Sequence, residues 1–215
     1  MNANFQQLAN FVWSVADLLR PVYRPPQYER VMLPLIVLRR FDAVLVPSKD
    51  AVLKRYAELS SKGIVNIDAI LNNRALDDDG KPLGFHNHSP LDFQKLKGDP
   101  DNVGQHLVTY IKGFSENVQR IFERFKFEEE IQTLEEANRL YQVVTQFAEI
   151  DLHPRKVDNI TMGLVFEDLI RRFNEAANET AGDHFTPREV IQLMVNLLLE
   201  PDTRVLTQAG IIVTI

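Results

Sequence analysis

Apolar residues recur every three or four positions through most of this chain, the spacing of amphipathic α-helices. The first such run, Phe5 to Leu19, ends just before Pro21. Residues 27–45 are apolar nearly all round, which predicts a buried central helix that Pro34 kinks or begins. A third helix is predicted to start with Ser48 as its N-cap. The first part of the chain is therefore predicted to be a set of packed helices.

Residues 62–102 interrupt this spacing with clustered Gly, Pro, Asn and Asp. Loops, short helices and a hairpin near Asp79-Gly80 are predicted there. The acidic run does not fit a calcium loop, because Ala75 occupies the first ligand position of that template. His86 and His88 lack a third ligand at a useful spacing, so a plain loop is favoured over a metal site. No metal site is predicted.

The helical spacing resumes over Val103–Phe125, over Leu134–Ile150 and from about Lys156 to Asn178. The segment Asp151–Val157 contains a proline and is predicted to separate a helical domain, residues 1–155, from a second domain, residues 156–215. Core positions are predicted for five aromatic residues: Tyr110, Phe114, Phe122, Phe125 and Phe127.

The apolar stretch Ile211–Ile215 has the β-branched character of a buried strand. Such a strand needs neighbours on both edges to pair its backbone groups. A chain that ends on it is expected to be a fragment or a truncated product of a larger subunit.

Composition adds three limits. The chain has 215 residues, 45% of them apolar and 25% charged, which is ordinary for a globular protein. It has no cysteine, so disulfides and thiolate metal sites are excluded and a reducing cytoplasm is expected. The first apolar helix is too short for a membrane span and carries Asp17, so no membrane association is expected.

Charge is distributed unevenly along the chain. Residues 1–76 hold ten Lys and Arg against six Asp and Glu, a balance of +4, and residues 77–215 hold fourteen against twenty-four, a balance of −10. The net charge of −6 argues against a protein that simply coats nucleic acid. The acidic runs are most simply explained as solvated helix faces.

The segment "TPRE" has the residues of a helix start. Thr186 can cap the helix, Pro187 fits its first position, and Glu189 can reach back to the cap. The helix that follows is predicted to be amphipathic, with apolar positions Val190, Leu193, Met194, Leu197 and Leu198 on one face. Spacing alone favours a structural helix, but a helix N-terminus also suits a carboxylate or a phosphate.

The stretch "AGDHFTPREVIQLMVNLLLEP", preceded by "MGLVFEDLIRRFNEAANET", resembles the modification (methyltransferase) subunit of type I restriction–modification systems. The segments "FVWSVADLLRPVYRPPQYERVMLPLIVLRRFDAVL" and "LVTYIKGFSENVQRIFERF" resemble the helical domain of the same family. The resemblance covers nearly all of residues 5–206. It implies a mainly α fold, in which a bundle-like helical domain precedes the opening helices and first strand region of a Rossmann-like methyltransferase domain.

The resemblance also implies a chemistry. The family's full subunit transfers a methyl group from S-adenosylmethionine to the exocyclic amine of adenine in DNA. By position, Phe185, Thr186 and Pro187 would line the methionine end of this cofactor. The acidic-Pro-x-x-Gly-x-Gly loop and the Asn-Pro-Pro-aromatic loop of the family do not occur in these 215 residues. No catalytic residue is therefore assigned, and the chain alone is expected to be inactive and to bind no S-adenosylmethionine.

The partners that the resemblance implies are a specificity subunit, a second modification subunit, a restriction subunit and double-stranded DNA, in a bacterial or archaeal cytoplasm. Candidate DNA phosphate contacts are the N-terminal arginines Arg20, Arg24, Arg30, Arg39 and Arg40. Salt bridges to neighbouring acidic helices are an equally good explanation of any one of them.

Two other functions stay open. The chain could be a truncated, non-catalytic interaction module that binds the specificity or modification subunits. A stand-alone helical DNA-binding domain is disfavoured by the acidic balance and by the lack of a recognition-helix motif.

Overall fold

The computed structural model describes residues 3–64 and 66–176, together with positions 190, 191, 193 and 194. The described part is built mainly of α-helices, and its longest connection between helices covers residues 73–92. In chain order they are α1 (Ala3–Leu19), α2 (Glu29–Leu45), α3 (Lys49–Ser61), α4 (Asp68–Asn72), α5 (Phe93–Lys97), α6 (Val103–Lys112), α7 (Glu116–Arg124), α8 (Phe127–Glu136), α9 (Leu140–Glu149) and α10 (Asn159–Ala176).

The mainly α fold predicted from the spacing is confirmed. In the described ranges, extended pairing is limited to two isolated antiparallel bridges, Leu76 with Pro82 and Asn87 with Phe114. The first of these closes the predicted hairpin, where Gly80 takes a positive φ of 77°. The predicted strand Ile211–Ile215 lies outside the described residues.

Helix α2 is the central element, as its apolar pattern predicts. It packs against α8, α9 and α10. Its buried positions are Val31, Met32, Pro34, Leu35, Ile36, Leu38, Asp42, Ala43 and Leu45. Because these positions surround the helix axis, α2 cannot present one face to solvent along its whole length.

The structure bears on two predicted details of α2 and α3. Pro34 is the sixth residue of α2, so it lies inside the helix, and the first-turn position, one of its two predicted alternatives, is excluded. Ser48 holds the N-cap position of α3, but its hydroxyl makes no capping bond and instead donates to the carbonyl of Leu45 at 3.5 Å. The preceding turn Val46–Ser48 is a 3₁₀ turn, which keeps Ser48 buried.

The predicted single helix Val103–Phe125 is wrong, because the chain breaks it into α6 and α7 around Gly113. At the break, the amide of His88 donates to the carbonyl of Gly113 at 2.8 Å, and the amide of Ser115 donates to the carbonyl of His86 at 3.1 Å. The Asn87 side-chain amide donates to the carbonyl of Tyr110 at 2.9 Å. Pairing with this distant loop therefore replaces the bonds that would have continued the helix.

The predicted helix Leu134–Ile150 is also divided. Helix α8 ends at Glu136, Asn138 takes a left-handed φ of 54°, and α9 begins at Leu140. The amide of Arg139 donates to the carbonyl of Leu134 at 2.8 Å, and that of Asn138 to Glu135 at 2.9 Å. These two bonds form a Schellman motif with asparagine in the position that glycine usually takes.

The predicted aromatic core is confirmed. Tyr110, Phe114, Phe122 and Phe127 are buried, and Phe125 is partly buried against them. Successive ring centroids lie 5.3 Å (Tyr110 to Phe114), 6.3 Å (Phe114 to Phe122) and 6.2 Å (Phe122 to Phe127) apart. These contacts connect α6, α7 and α8 into one core.

Helix α10 begins close to the predicted start at Lys156 and packs on the preceding helices. It contacts α1, α2 and the 3₁₀ turn Pro25–Gln27. Its buried face contains Thr161, Met162, Val165 and Leu169. Near its end, the Arg172 guanidinium lies 5.7 Å from the ring centroid of Trp13 on α1.

The predicted domain boundary at residue 155 stays a prediction. Among the described helices, none has the length and apolar character that a bilayer crossing requires.

A glycine pair tests the break between α6 and α7. A Cβ atom at Gly113 would lie 2.5 Å from the Cβ of Ser89 and 2.9 Å from Oδ1 of Asn87. Gly113→Ala is therefore expected to lower the free energy of unfolding by about 1–3 kcal/mol, measured by urea denaturation.

Gly98 provides the matched control. It has nearly the same backbone conformation, φ −75° and ψ −12° against −77° and −11°, and its nearest neighbour would be the Lys95 carbonyl oxygen at 3.3 Å. Gly98→Ala is expected to change the stability by less than about 1 kcal/mol. Equal effects of the two substitutions would contradict the crowding argument.

Candidate functional site

The three candidate cofactor residues, Phe185, Thr186 and Pro187, lie outside the described residues. The helix predicted after them is helical at its described positions 190, 191, 193 and 194. The side chains of Val190, Ile191, Leu193 and Met194 are exposed there. The cofactor role of Phe185, Thr186 and Pro187 stays a prediction.

The five candidate DNA-binding arginines fall into two groups. Arg20, Arg24 and Arg30 are exposed on the end of α1, the α1–α2 connection and the start of α2. Nε of Arg20 lies 2.8 Å from a carboxylate oxygen of Asp17, and both side chains are about two-thirds exposed, 67% and 64%. A pair so exposed contributes little to stability and leaves the arginine available to another anion.

The α1–α2 corner that carries these arginines is attached to α8. The Tyr23 hydroxyl donates to a carboxylate oxygen of Glu130 on α8 at 2.7 Å. Burial, together with this bond, raises the pKa of Tyr23 well above its ordinary value, so the hydroxyl keeps its proton. The α1–α2 corner is therefore held against α8 while its arginines face solvent.

Arg39 and Arg40 are hydrogen-bonded to other groups of the protein. Nε of Arg39 donates to the carbonyl of Ile150 at 2.8 Å, and Nη1 donates to Oδ2 of Asp42 at 2.7 Å. Nη1 of Arg40 donates to the carbonyls of Leu152 and Val157, each at 2.5 Å. Nη2 of Arg40 donates to Oδ1 of Asn159 at 2.8 Å.

The two residues are adjacent on α2 and diverge by about 100° around the helix. Both nevertheless reach the same connection, residues 150–158 between α9 and α10. Burial lowers the pKa of Arg40, against the attraction of Asp158. These bonds occupy the guanidinium groups that the sequence suggested for DNA, so the phosphate-contact hypothesis is carried forward for Arg20, Arg24 and Arg30.

A second polar group, which the sequence did not indicate, surrounds Asp42 in the core. The Tyr110 hydroxyl donates to Oδ1 of Asp42 at 2.7 Å, while Arg39 serves Oδ2. Burial raises the pKa of Asp42, and the bonds from Tyr110 and Arg39 oppose this change. Nζ of Lys49 donates to the carbonyl of Leu91 at 3.0 Å and lies 5.2 Å from the Tyr110 ring centroid, and burial lowers its pKa to about 8. Since these groups satisfy one another, the cluster serves the packing of α2 against α6.

His86 and His88 lie next to this cluster. The His86 ring is fully buried, and its Nδ1 lies within hydrogen-bond distance of Oδ1 of Asn72, at 2.8 Å. The His88 ring stacks on Tyr56 with centroids 4.3 Å apart. Within the described ranges, no group of three or more His, Cys, Asp or Glu side chains is placed to hold a metal ion. The loop 86–88 pairs with residues 113–115 and so fixes the break between α6 and α7.

An open groove of about 680 Å³ runs between α6 and α8. Acidic and amide side chains dominate its lining, among them Asp101, Glu128, Glu129 and Glu135. Glu135 packs directly against Gly104, where a Cβ would lie 2.3 Å from its Oε1. The groove is too acidic for a nucleic-acid backbone, in contrast to the arginine-bearing corner.

Comparison with known families gives two matches in series. The family described as "HsdM N-terminal domain" matches residues 8–147, and the family described as "N-6 DNA Methylase" matches residues 157–210. No curated protein and no solved structure matches the chain.

The helical fold and these two matches define the class of protein. It is a helical domain joined to the start of a DNA methyltransferase of a restriction–modification system. The chain belongs to the HsdM N-terminal domain family, whose model covers well over half of it, and it corresponds to the N-terminal part of the modification subunit of a type I system. This family membership places it in a complex of several subunits. N-6 DNA methylases take their methyl group from S-adenosylmethionine.

The buried histidine generates a prediction about pH. Burial lowers the pKa of His86 from its ordinary 6.5 to about 4, and His88 adds to this effect while Asp68 opposes it. Below pH 6.5 the unfolded chain takes up a proton that the folded chain refuses, so the free energy of unfolding falls as the pH falls toward 4. His86 is expected to contribute roughly 3 kcal/mol to this loss.

Urea denaturation of the protein and of His86→Gln between about pH 7 and about pH 4.5 measures this contribution. The variant should lose less stability on acidification than the unaltered chain. His106→Gln is the matched control, since its ring is 32% exposed. Parallel pH curves for the unaltered chain and His86→Gln would contradict the prediction.

Proposed function

We propose that this chain serves in a type I modification subunit that transfers a methyl group from S-adenosylmethionine to adenine in DNA. In this proposal its helical part assembles with a specificity subunit, a second modification subunit and a restriction subunit. The observation that carries the proposal is the order of the two matches, with the helical family over residues 8–147 followed at once by the N-6 methylase family over residues 157–210. The proposed cellular location is the cytoplasm, which contains the DNA.

The cofactor would be held by a part of the chain that begins at the "FTPRE" helix start. Its Phe185, Thr186 and Pro187 are the candidate residues, and a helix N-terminus after a capping threonine suits a carboxylate. S-adenosylmethionine supplies the methyl group when bound. The 215 residues contain neither the Gly-x-Gly loop nor the Asn-Pro-Pro-aromatic loop of the family, so the proposal assigns this chain no catalytic residue and no cofactor binding on its own.

The proposal gives the α1–α2 corner a role in holding DNA. Arg24 and Arg30 are exposed there, and Arg20 is in an exposed pair that a phosphate can compete for. The corner belongs to residues 1–76, which carry a charge balance of +4. Contacts of this kind position DNA without reading its sequence, which agrees with a separate specificity subunit.

The alternative proposal is a non-catalytic interaction module that binds the specificity or modification subunits. It is supported by the match of the helical family over residues 8–147, the larger of the two matched segments. The two proposals share the assembly role and differ only in whether methylation follows.

Reconstitution with a purified specificity subunit of a type I system tests both. The chain is expected to co-elute with that subunit in size-exclusion chromatography, because both proposals assign its helical part a role in assembly. A modification subunit that carries these residues followed by the two missing loops should then transfer radiolabelled methyl groups to adenine. Co-elution without transfer would favour the interaction module, and no co-elution would contradict both proposals.

The salt dependence of DNA binding tests the arginine corner. In the assembled complex, Arg24→Gln with Arg30→Gln should lower the slope of log affinity against log salt by about 2, since each lost phosphate contact removes about 0.9. Lys54→Gln with Lys62→Gln on and just after α3 makes the same charge change and should leave the slope nearly unaltered. An unchanged slope in the arginine variant would remove these residues from the DNA interface.

A further inference from the structure

The connection between α9 and α10 joins the two family segments. The helical family match ends at residue 147 and the methylase match begins at residue 157. Arg40 belongs to the first segment, whereas two of its acceptors, Val157 and Asn159, belong to the second. One side chain of the helical segment thus binds the opening residues of the methylase segment directly.

The bonds of Arg40 satisfy backbone groups that have no helical partner. The side chains of Leu152 and Val157 are buried, whereas residues 154–156 between them are exposed, so the connection is held to the core at its two buried residues. Carbonyls placed in this way need a donor from the protein. A guanidinium offers five N–H donors in a planar fork and can serve several acceptors at once, which an ammonium group cannot do with the same geometry.

Other contacts fix the same connection from different sides. Arg39 binds the carbonyl of Ile150 where α9 ends. On the opposite flank, Nε of Arg155 lies 2.8 Å from Oδ2 of Asp78, and Nε2 of His153 lies 3.4 Å from the same oxygen. The proline-containing segment Asp151–Val157 therefore has contacts with the rest of the protein on two sides.

The position of α10 follows from where this connection ends. Asn159 is the first residue of α10, and the Asp158 carboxylate accepts the amide of Thr161 at 2.7 Å as an N-cap. This capping bond lowers the pKa of Asp158, so the cap stays ionised. The helix then packs along α1 and the turn Pro25–Gln27. The start of the helix and its direction are thus set within one turn of the Arg40 contacts.

We propose that Arg40 is a positioning residue of the modification subunit: it fixes the start of α10 on the helical domain and so sets where the methyltransferase part stands relative to that domain. This inference rests on the proposed function for its catalytic consequence. Its structural half concerns the chain by itself.

Hydrogen exchange on the 215-residue chain tests the structural half. In Arg40→Gln, backbone amides of residues 151–166 should exchange at least about tenfold faster, the change expected for the loss of a charged hydrogen bond. Amides of α6 and α9 should keep their rates. Arg55→Gln is the matched control, because Arg55 pairs only with Glu58 three residues along α3, at 3.0 Å and near the surface. Unchanged exchange over residues 151–166, or an equal increase in all helices, would overturn the proposal.

Two further measurements keep the test decisive if Arg40→Gln fails to fold. Asn159→Ala removes one exposed acceptor and leaves both carbonyl bonds of Arg40 in place, so it should raise exchange by a smaller factor and only in the first turns of α10. The fluorescence of Trp13, the single tryptophan, reports the other end of α10 through its contact with Arg172. Unchanged exchange in α10 of Asn159→Ala would overturn the proposal.

The catalytic half is tested in a methylating complex. There Arg40→Gln should lower kcat for methyl transfer by about tenfold and leave KM for DNA within about twofold, since misplacement affects the reacting geometry more than binding. A rise in KM alone would overturn the positioning role. If the unaltered complex does not methylate, the proposed function fails, and the exchange result still decides the structural half.

Discussion

The structure depends on how backbone groups next to the central helix α2 are satisfied. A non-helical segment pressed against a buried helix brings carbonyls that no helix or sheet can pair. Here the donors come from α2 itself, through Arg39 and Arg40, which bind the carbonyls of Ile150, Leu152 and Val157. Both guanidinium groups are hydrogen-bonded within the protein. Their partly buried charges therefore do not carry the free-energy cost of an unpaired buried charge.

The same constraint separates two kinds of arginine that look alike in the sequence. Arg39 and Arg40 are partly buried and have acceptors more than 100 residues away in the chain. Arg24 and Arg30 lie at the corner between α1 and α2, where both side chains are exposed to solvent. Charge counts along the chain cannot distinguish the two kinds, since what differs is the tertiary position of the acceptor and not the residue type. The distinction limits the proposed DNA phosphate contacts to the α1–α2 corner.

The long helices could be predicted because their apolar spacing is a local property, and α1 and α2 begin and end within two or three residues of the predicted limits. The interruptions could not be predicted in the same way. The break at Gly113 depends on pairing with residues 86–88, and the break at Asn138 depends on a left-handed asparagine that propensity alone does not reveal. The acceptors of Arg40 are mostly backbone carbonyls, which every sequence possesses, so no residue pattern marks them. By contrast, the "FTPRE" motif indicated the methylase family through its residue types, and the match over residues 157–210 confirms that family.

The packing of α10 changes how the two family segments should be regarded. By sequence α10 falls in the methylase segment, yet its buried face, with Met162, Val165 and Leu169, packs on helices of the HsdM N-terminal segment. A family boundary at residues 147–157 therefore does not coincide with a boundary between packing units in the described part of the chain. Helix α10 is better understood as the element shared by both segments. Arg40 binds Val157 and Asn159 at the start of this helix, so the shared element is attached to the helical segment where the methylase segment begins.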